Sequence, residues 1–331
     1  MKVALTYNLK KKDDTKPPDY FSEFDSEETV NAIAGALKKN GHSVDMIEAE
    51  YPTLFSYFRQ NKVDIVFNIA EGKSGKLRES EIPAILDYLK VPYTGSNTFS
   101  LALALNKALT KKILLAENIP TPKYQVFERG NEPLKSDLKF PLIIKPNCEG
   151  SGKGISSSNV VYTEEELAIR VRETISRYKH EALVEEFVEG KELTVGILEN
   201  GKTTILPILE IDFSTCQKSG EYFYSWRMKE FQGNHELGLT PTFHCPARLD
   251  RETERRVKEV ALKTHHAVGC LDISRTDIRL GKDDIPYVLE INPLPGLDPK
   301  ESNFPIMAYA GGFEYEDLIE AILMSAYNRK G

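Results

Sequence analysis

Two apolar stretches near the carboxyl end, CLDISRTDIRL and YVLEINPLPGL, carry charged residues at alternate positions. Successive side chains of a strand point to opposite faces, so Arg275 and Asp277 share a face, as do Glu290 and Asn292. Residues 270–280 and 285–291 read as paired strands, with residues 281–284 as their turn. In such a hairpin two carboxylates and an amide oxygen meet. That hard-oxygen set suits a Mg²⁺ ion that also touches substrate phosphates. Charges flanked by Val, Leu and Ile are costly to bury unless a metal or a partner neutralises them.

The rest of the chain reads as α/β. Residues 2–7 form a strand and a polar loop, 8–20, follows. Val30, Ile33, Ala34 and Leu37 recur at the spacing of one helix face, and Gly41 stops that helix. Asp25 and Glu28 have the spacing of a capping box at its start. Residues 42–47 and 63–69 are further strands, and the loop 70–75 leaves the last of them. In open parallel sheets such carboxyl-end loops face the ligand. Residues 79–89 are helical. Residues 101–117 read as one helix, with Leu101, Leu105, Leu109 and Ile113 on or near one face, ended by Pro120 and Pro122.

A second unit begins with a strand at 140–144 and a helix opened by Thr163 and Glu166, with Leu167, Val171, Ile175 and Tyr178 inward. Strands at 183–187 and 192–198, helices at 250–268 and 315–327, and a long polar stretch at 219–242 complete the reading. Loops of that length inside a domain are usually functional or disordered.

Composition narrows the function classes. With 43 Lys+Arg against 50 Asp+Glu the net charge is −7, which gives no general attraction to nucleic acid or anionic membrane. The cysteines, Cys148, Cys216, Cys245 and Cys270, include no CxxC pair. No apolar run reaches the roughly 18 residues of a membrane span. The amino-terminal apolar run is too short for a signal peptide, so the cytoplasm is expected.

Lys145 ends the apolar run FPLIIK, where its charge can enter a cleft. The adjacent EGSGKG has little side-chain bulk, so its backbone N–H groups can approach an anion. It is not a Walker A pattern, and a glycine-rich hairpin turn is the commoner explanation of such a loop. The segment LVEEFVEGKELTV reads either as strand–turn–strand or as a hinge that binds adenine and ribose. Lys107, taken alone, reads as a solvated helical lysine.

Together VPYTGS, NKALTKKILLAENIPTP, FPLIIKPNCEGSGKGIS, LVEEFVEGKELTVGIL, HCPARL, CLDISRTDIRL and YVLEINPLPGL, in this order, resemble the ATP-grasp superfamily and its D-alanine–D-alanine ligase branch. The resemblance implies an amino-terminal α/β domain (1–98) followed by two ATP-grasp subdomains (99–185 and 186–331). It implies an ADP-forming carboxylate–amine ligase working through an acylphosphate, with ATP and Mg²⁺ (or Mn²⁺) as cofactors. The partners it implies are small amino-acid-like substrates and a second copy of the chain in a homodimer.

Residue roles are carried over from the same resemblance. Lys107 and Lys145 match lysines on the ATP phosphates, Ser151 and Gly152 the phosphate-covering loop, and Lys229 a lysine reaching over the phosphates. Glu185, Phe187 and Val188 match the adenine hinge and Glu192 the ribose contact. Asp277, Glu290 and Asn292 match the metal ligands, and Arg275 the arginine on the tetrahedral intermediate. Gly296 and Ser302 match the second substrate's carboxylate site, and residues 219–242 the lid. Glu23, Asp25 and Glu28 compete to hold the first substrate's ammonium.

Two departures bear on the substrate. Asn68 stands where the family has a histidine, and Glu230 where the lid has a tyrosine. A ligase making another dipeptide or amide therefore stays open, as does a nucleotide-binding protein without ligase activity.

Overall fold

The computed structural model describes residues 1–329 apart from Lys12 and Ser74. Three sheets follow one another along the chain. In the first, β1 (Lys2–Tyr7), α1 (Glu27–Lys39), β2 (Ser43–Glu48), α2 (Tyr51–Gln60), β3 (Ile65–Asn68) and α3 (Arg78–Leu89) alternate, and the strands pair in parallel in the order β2-β1-β3. Sequence reading found no helix between β2 and β3. Only Leu54 of α2 is fully buried, so its apolar periodicity is faint.

The start of α1 also differs from expectation. Ser26, not Asp25, caps it, its hydroxyl accepting from the Thr29 N–H at 3.1 Å. Asp25 and Glu28 form no capping box, which leaves the Asp25 carboxylate free for another role.

The expected helix over residues 101–117 is two helices, α4 (Thr98–Leu105) and α5 (Lys107–Ala116). Asn106 leaves the helical region (φ −86°, ψ 92°) and caps α5 by accepting from the Leu109 N–H. A side chain that can satisfy the backbone locally favours a break of this kind. One consequence is that Leu109 faces solvent, while Lys107 opens α5 and points inward, 6% exposed.

The second sheet is antiparallel, in the order β4-β7-β5-β6, from β4 (Tyr124–Phe127), β5 (Leu142–Pro146), β6 (Val160–Val161) and β7 (Ala182–Glu186). Between β6 and β7, α6 (Glu164–Tyr178) covers it. Thr163 caps this helix as its spacing indicates, accepting from the Glu166 N–H, and Leu167 and Val171 are buried against the sheet.

The third sheet runs β11-β10-β8-β12-β13, with β9 paired to β8. Its elements are β8 (Gly190–Glu199), β9 (Thr203–Ile205), β10 (Leu209–Asp212), α7 (Trp226–Glu230), β11 (Thr242–His244), α8 (Arg251–Val268), β12 (Ile273–Gly281), β13 (Pro286–Asn292), α9 (Asn303–Ala310) and α10 (Tyr315–Arg329). The hairpin β12–β13 forms as read from the alternation. Its far face, with Ile278 and Val288, packs on Val257 and Ala261 of α8. No helix among the described residues is long and apolar enough to cross a membrane.

The chain's end completes its beginning. Leu318, Ile319 and Ile322 of α10 share a core with Val3 and Leu5 of β1 and with Val30 and Ile33 of α1. Asp272 locks this joint. Its carboxylate accepts from the Gly95 N–H (2.7 Å), the Ser325 hydroxyl (2.7 Å) and the Arg329 guanidinium (2.7 and 3.0 Å). Asp272→Asn keeps the left-handed backbone (φ 60°) tolerable but removes the charge. Denaturant unfolding should show a loss of about 2 kcal/mol, the scale of hydrogen bonds to a charged group.

Candidate active site

The face of the third sheet opposite α8 is charged. In register, Asp277 stands between Thr194 of β8 and Glu290 of β13, Arg275 opposite Asn292, and Arg279 opposite Glu192. A bulge between Asp277 and Ile278 inserts Leu289 on β13, with Val288 on the core face. Asp277 accepts from the Thr194 hydroxyl (2.6 Å), from Arg275 (2.9 and 2.7 Å) and from the Asn292 amide (3.2 Å). Among the described residues the Glu290 carboxylate pairs only with the Lys107 ammonium, at 3.4 Å. Burial works against its charge. Lys107, Lys145, Lys229 and Arg275 outweigh burial and hold its carboxyl down at about 2.

Two cavities meet at this wall. The first lies between β5, the end of β7 and the hairpin, and is lined by Lys107, Lys145, Gly152, Glu185, Phe187, Val188, Glu192, Lys229, Asp277 and Glu290. It gathers every residue assigned above to ATP except Ser151. Phe187, Ile143, Phe223 and Leu289 give it an apolar end suited to a purine, and the lysines a cationic end suited to phosphates.

Glu185 is not free to contact a ligand through its carboxylate. Almost fully buried, it lies between Lys111 (2.8 Å) and Lys145 (2.7 Å), and these ammoniums outweigh burial to keep its carboxyl below its usual range. Its visible work is to fix Lys145. Glu192 binds Arg279 at 2.7 Å, yet burial still pushes its carboxyl up.

The second cavity, of about 360 Å³, lies between the first and third sheets. Glu23, Asp25, Ser151, Arg275, Asn292, Gly296 and Ser302 line it. Tyr224 and Lys229 line both cavities, so the two join at the cationic wall. Burial and the nearby Arg275 charge lower the Lys229 ammonium's pKa.

Of the three candidate acids, Glu28 is exposed at the surface. Glu23 is consumed by a clasp: it accepts from Arg78 through both oxygens, from Lys153 at 2.7 Å and from the Gly150 N–H at 2.8 Å. Asp25 remains. Burial and the Asp298 carboxylate push it up to about 7.

The glycine-rich loop packs against the lid. Gly152 has φ +68°, and a Cβ there would lie 2.9 Å from the Trp226 nitrogen. The lid is no structureless loop, since it contains α7. It closes on the first sheet's loops through Trp226 Nε1, which donates to the Ser22 hydroxyl (2.7 Å), and through Lys10 with Glu230 (2.9 Å). Glu230, which replaces the expected tyrosine, thus binds the amino-terminal loop. Asn68 is buried at the end of β3, its side-chain oxygen accepting from the Thr6 hydroxyl and the Ala70 N–H.

Sequence reading missed Lys111, Arg78, Lys153, Tyr224, Glu71 and Glu79. Lys111 carried a signal, being one turn beyond Lys107. Glu71 lies in the loop 70–75, already marked as facing a ligand; Ser74 of that loop lies outside the described residues.

A cavity with an apolar and a cationic end, clamped between two antiparallel sheets and joined under a lid to a second cavity, is the arrangement of an ATP-grasp enzyme. Residues 113–324 match the family model described as "D-ala D-ala ligase C-terminus". A D-alanine–D-alanine ligase of Carboxydothermus hydrogenoformans is 34% identical over 305 residues, covering 89% of this chain and 91% of that one. The D-alanine–D-alanine ligase of Bacillus anthracis superposes with a TM-score of 0.77 at 26% identity, over 100% of both chains. Its complex with ATP gives 0.75, again at 26% identity and full coverage. The chain belongs to the D-alanine–D-alanine ligase family, and is an ATP-dependent enzyme that forms carbon–nitrogen bonds.

The Glu23 clasp has a pH signature. Burial opposes its charge, but Arg78 and Lys153 prevail and lower its pKa from 4.5 to about 2. The stability it contributes is present above about pH 4.5 and lost as pH falls toward 2. Urea unfolding at several pH values should show Glu23→Gln less stable than the parent at neutral pH, with a flatter decline between pH 4.5 and 2.

Proposed function

We propose that the chain joins two small amino acids in the cytoplasm through an acylphosphate, with ATP in the first cavity and the amino acids in the second. The observation that carries this is the junction: Lys229 and Tyr224 border both cavities, beside Arg275 and Asp277. A γ-phosphate held by Lys107, Lys145 and Lys229 thereby ends where a carboxylate in the second cavity begins.

The donor carboxylate bonds the γ-phosphorus as the bond to ADP breaks. The lysines balance charge that develops on the transferring group, and positioning supplies most of the rate. Ser151 and Gly152 cover the phosphates, and the lid keeps water from the acylphosphate. A neutral amine then bonds the acyl carbon, Arg275 stabilises the oxyanion, phosphate departs with its oxygen, and the nitrogen releases its proton. Gly296 and Ser302 lie beside the start of α9, where N–H groups and the helix dipole favour the acceptor's carboxylate.

Asp277, Glu290 and Asn292 fit a hard divalent ion. They share one face, and among the described residues the Glu290 carboxylate accepts no hydrogen bond and meets only the Lys107 ammonium. When bound there, Mg²⁺ supplies Lewis-acid polarisation and charge neutralisation of phosphate oxygens.

D-alanine is the first substrate to test, given the relatives' names. Phosphate release from Mg-ATP, with product masses, across pairs of D- and L-amino acids tests the whole reading. Release with D-alanine and formation of its dipeptide would link the chain to peptidoglycan precursors. Phosphate release with no amino-acid pair, despite ATP binding, would reject the ligase reading. Asp277→Ala should lower kcat/KM by about 10³-fold, or roughly 4 kcal/mol of transition-state stabilisation; full activity in this variant would reject the metal assignment.

A further inference from the structure

Lys111 is a buried charge that the reaction above does not use. It stands one turn beyond Lys107 on α5, is 1% exposed and lines neither cavity. An ammonium in such a place is costly unless it is paired, so its partners indicate its work.

Those partners lie on two different sheets. The Lys111 ammonium donates to the Thr121 hydroxyl at 2.7 Å, and that hydroxyl donates to the Val288 carbonyl at 2.8 Å. The Val288 N–H donates to the Pro120 carbonyl at 2.8 Å, so residues 120–121 are fastened to β13 two residues before Glu290. On its other side Lys111 meets Glu185 Oε1 at 2.8 Å, and Glu185 Oε2 accepts from Lys145 at 2.7 Å. A line of contacts therefore runs from the strand of Glu290 to Lys145 on β5, across the two sheets that clamp the first cavity. Glu185 and Lys145 open on that cavity, whereas Lys111 and Thr121 lie behind its wall.

The arrangement has two ammoniums for one carboxylate. Burial opposes the Glu185 charge, yet Lys111 and Lys145 keep its carboxyl below its usual range. To hold Lys145 alone, Glu185 needs no second cation. A second is needed when Lys145 turns its charge to a phosphate, because an enclosed carboxylate that loses its partner is strongly destabilising. Lys111 is placed to remain, since it does not border the cavity.

Resting on the placement of Lys145 at the ATP phosphates, we propose that Lys111 is a positioning residue for ATP. It retains Glu185 when Lys145 engages the phosphates, and it ties Lys145 to the strand that carries Glu290. It acts through Glu185 and touches neither ATP nor the amino acids.

The test measures Mg-ATP binding to the full chain by calorimetry, together with KM values from phosphate release. Lys111→Met keeps the length of the side chain and removes its charge. It should weaken Mg-ATP binding by at least about tenfold, because Glu185 is then left alone when Lys145 moves. KM for the amino acids should stay within about twofold of the parent, since the effect is confined to ATP. Adding Glu185→Gln to Lys111→Met should restore Mg-ATP binding by at least about threefold over Lys111→Met alone, the sign of a coupled pair. A lysine that serves only the fold predicts the reverse, with the two losses adding. Thermal unfolding checks that the variants fold. Should Lys111→Met alone not fold, the double variant is compared with Glu185→Gln, where loss of Lys111 should change Mg-ATP binding by less than about twofold.

Unchanged Mg-ATP binding in folded Lys111→Met overturns the inference and leaves the ligase reading standing. Additive losses in the double variant, or a loss of about tenfold on removing Lys111 from Glu185→Gln, also overturn it. Lys145→Ala with parental Mg-ATP binding removes the placement on which the inference rests, and the inference falls with it. The expected binding changes without phosphate release for any amino-acid pair would support the inference and reject the ligase reading.

Discussion

The register of β12 between β8 and β13 is the constraint on which the site depends. Side chains alternate, so one choice of register puts Arg275, Asp277 and Arg279 toward the cavities and Thr276 and Ile278 toward α8. A slip of one residue would drive two guanidiniums and a carboxylate into an apolar core. Packing on Val257 and Ala261 therefore does more than stabilise the sheet. It enforces the meeting of Asp277 with Glu290, and of Arg275 with Asn292, on a rigid strand pair.

Around that wall the charges are arranged in opposite senses at the two ends. The first cavity concentrates Lys107, Lys145 and Lys229 in a space that also holds Glu185 and Glu290. Glu185 offsets part of the repulsion between Lys111 and Lys145, and two nearby ammoniums keep it ionised in spite of burial. Such an arrangement costs folding energy when no anion is bound, and a polyphosphate relieves it. The second cavity is lined by several acids, of which Glu23 is compensated by Arg78 and Lys153 while burial and Asp298 push Asp25 up to about 7.

How legible each part was follows from which element carries it. The β12–β13 hairpin and the capped α6 were readable because their alternation or spacing is local and strong. The residues matched to ATP came from the family resemblance rather than from periodicity, and apart from Ser151 they line one cavity. The break between α4 and α5 was hidden because both pieces continue one apolar rhythm, and only the backbone angles of Asn106 interrupt it. At α1, Asp25 and Glu28 had the right spacing for a cap, yet the adjacent Ser26 hydroxyl reaches the Thr29 N–H. Spacing does not show which of two neighbouring residues takes the cap. Glu71 and Glu79 gave no periodic signal, because their place in the site depends on how the loop after β3 folds over the cavity.

Closure ties these parts together. Glu23, from the loop after β1, binds Arg78 at the start of α3 and both Lys153 and the Gly150 backbone of the second sheet's loop. Gly152 then lies against Trp226 of the lid, and Trp226 reaches back to Ser22. The circuit returns to its origin within one residue, Ser22 to Glu23, after passing through all three sheets' loops. Closing the lid and shaping the second cavity are therefore one structural event. The lid cannot leave Ser22 without loosening its packing on the glycine-rich loop. For the same reason Glu23, one of the acids matched to a substrate ammonium, is held instead by Arg78, Lys153 and the Gly150 backbone.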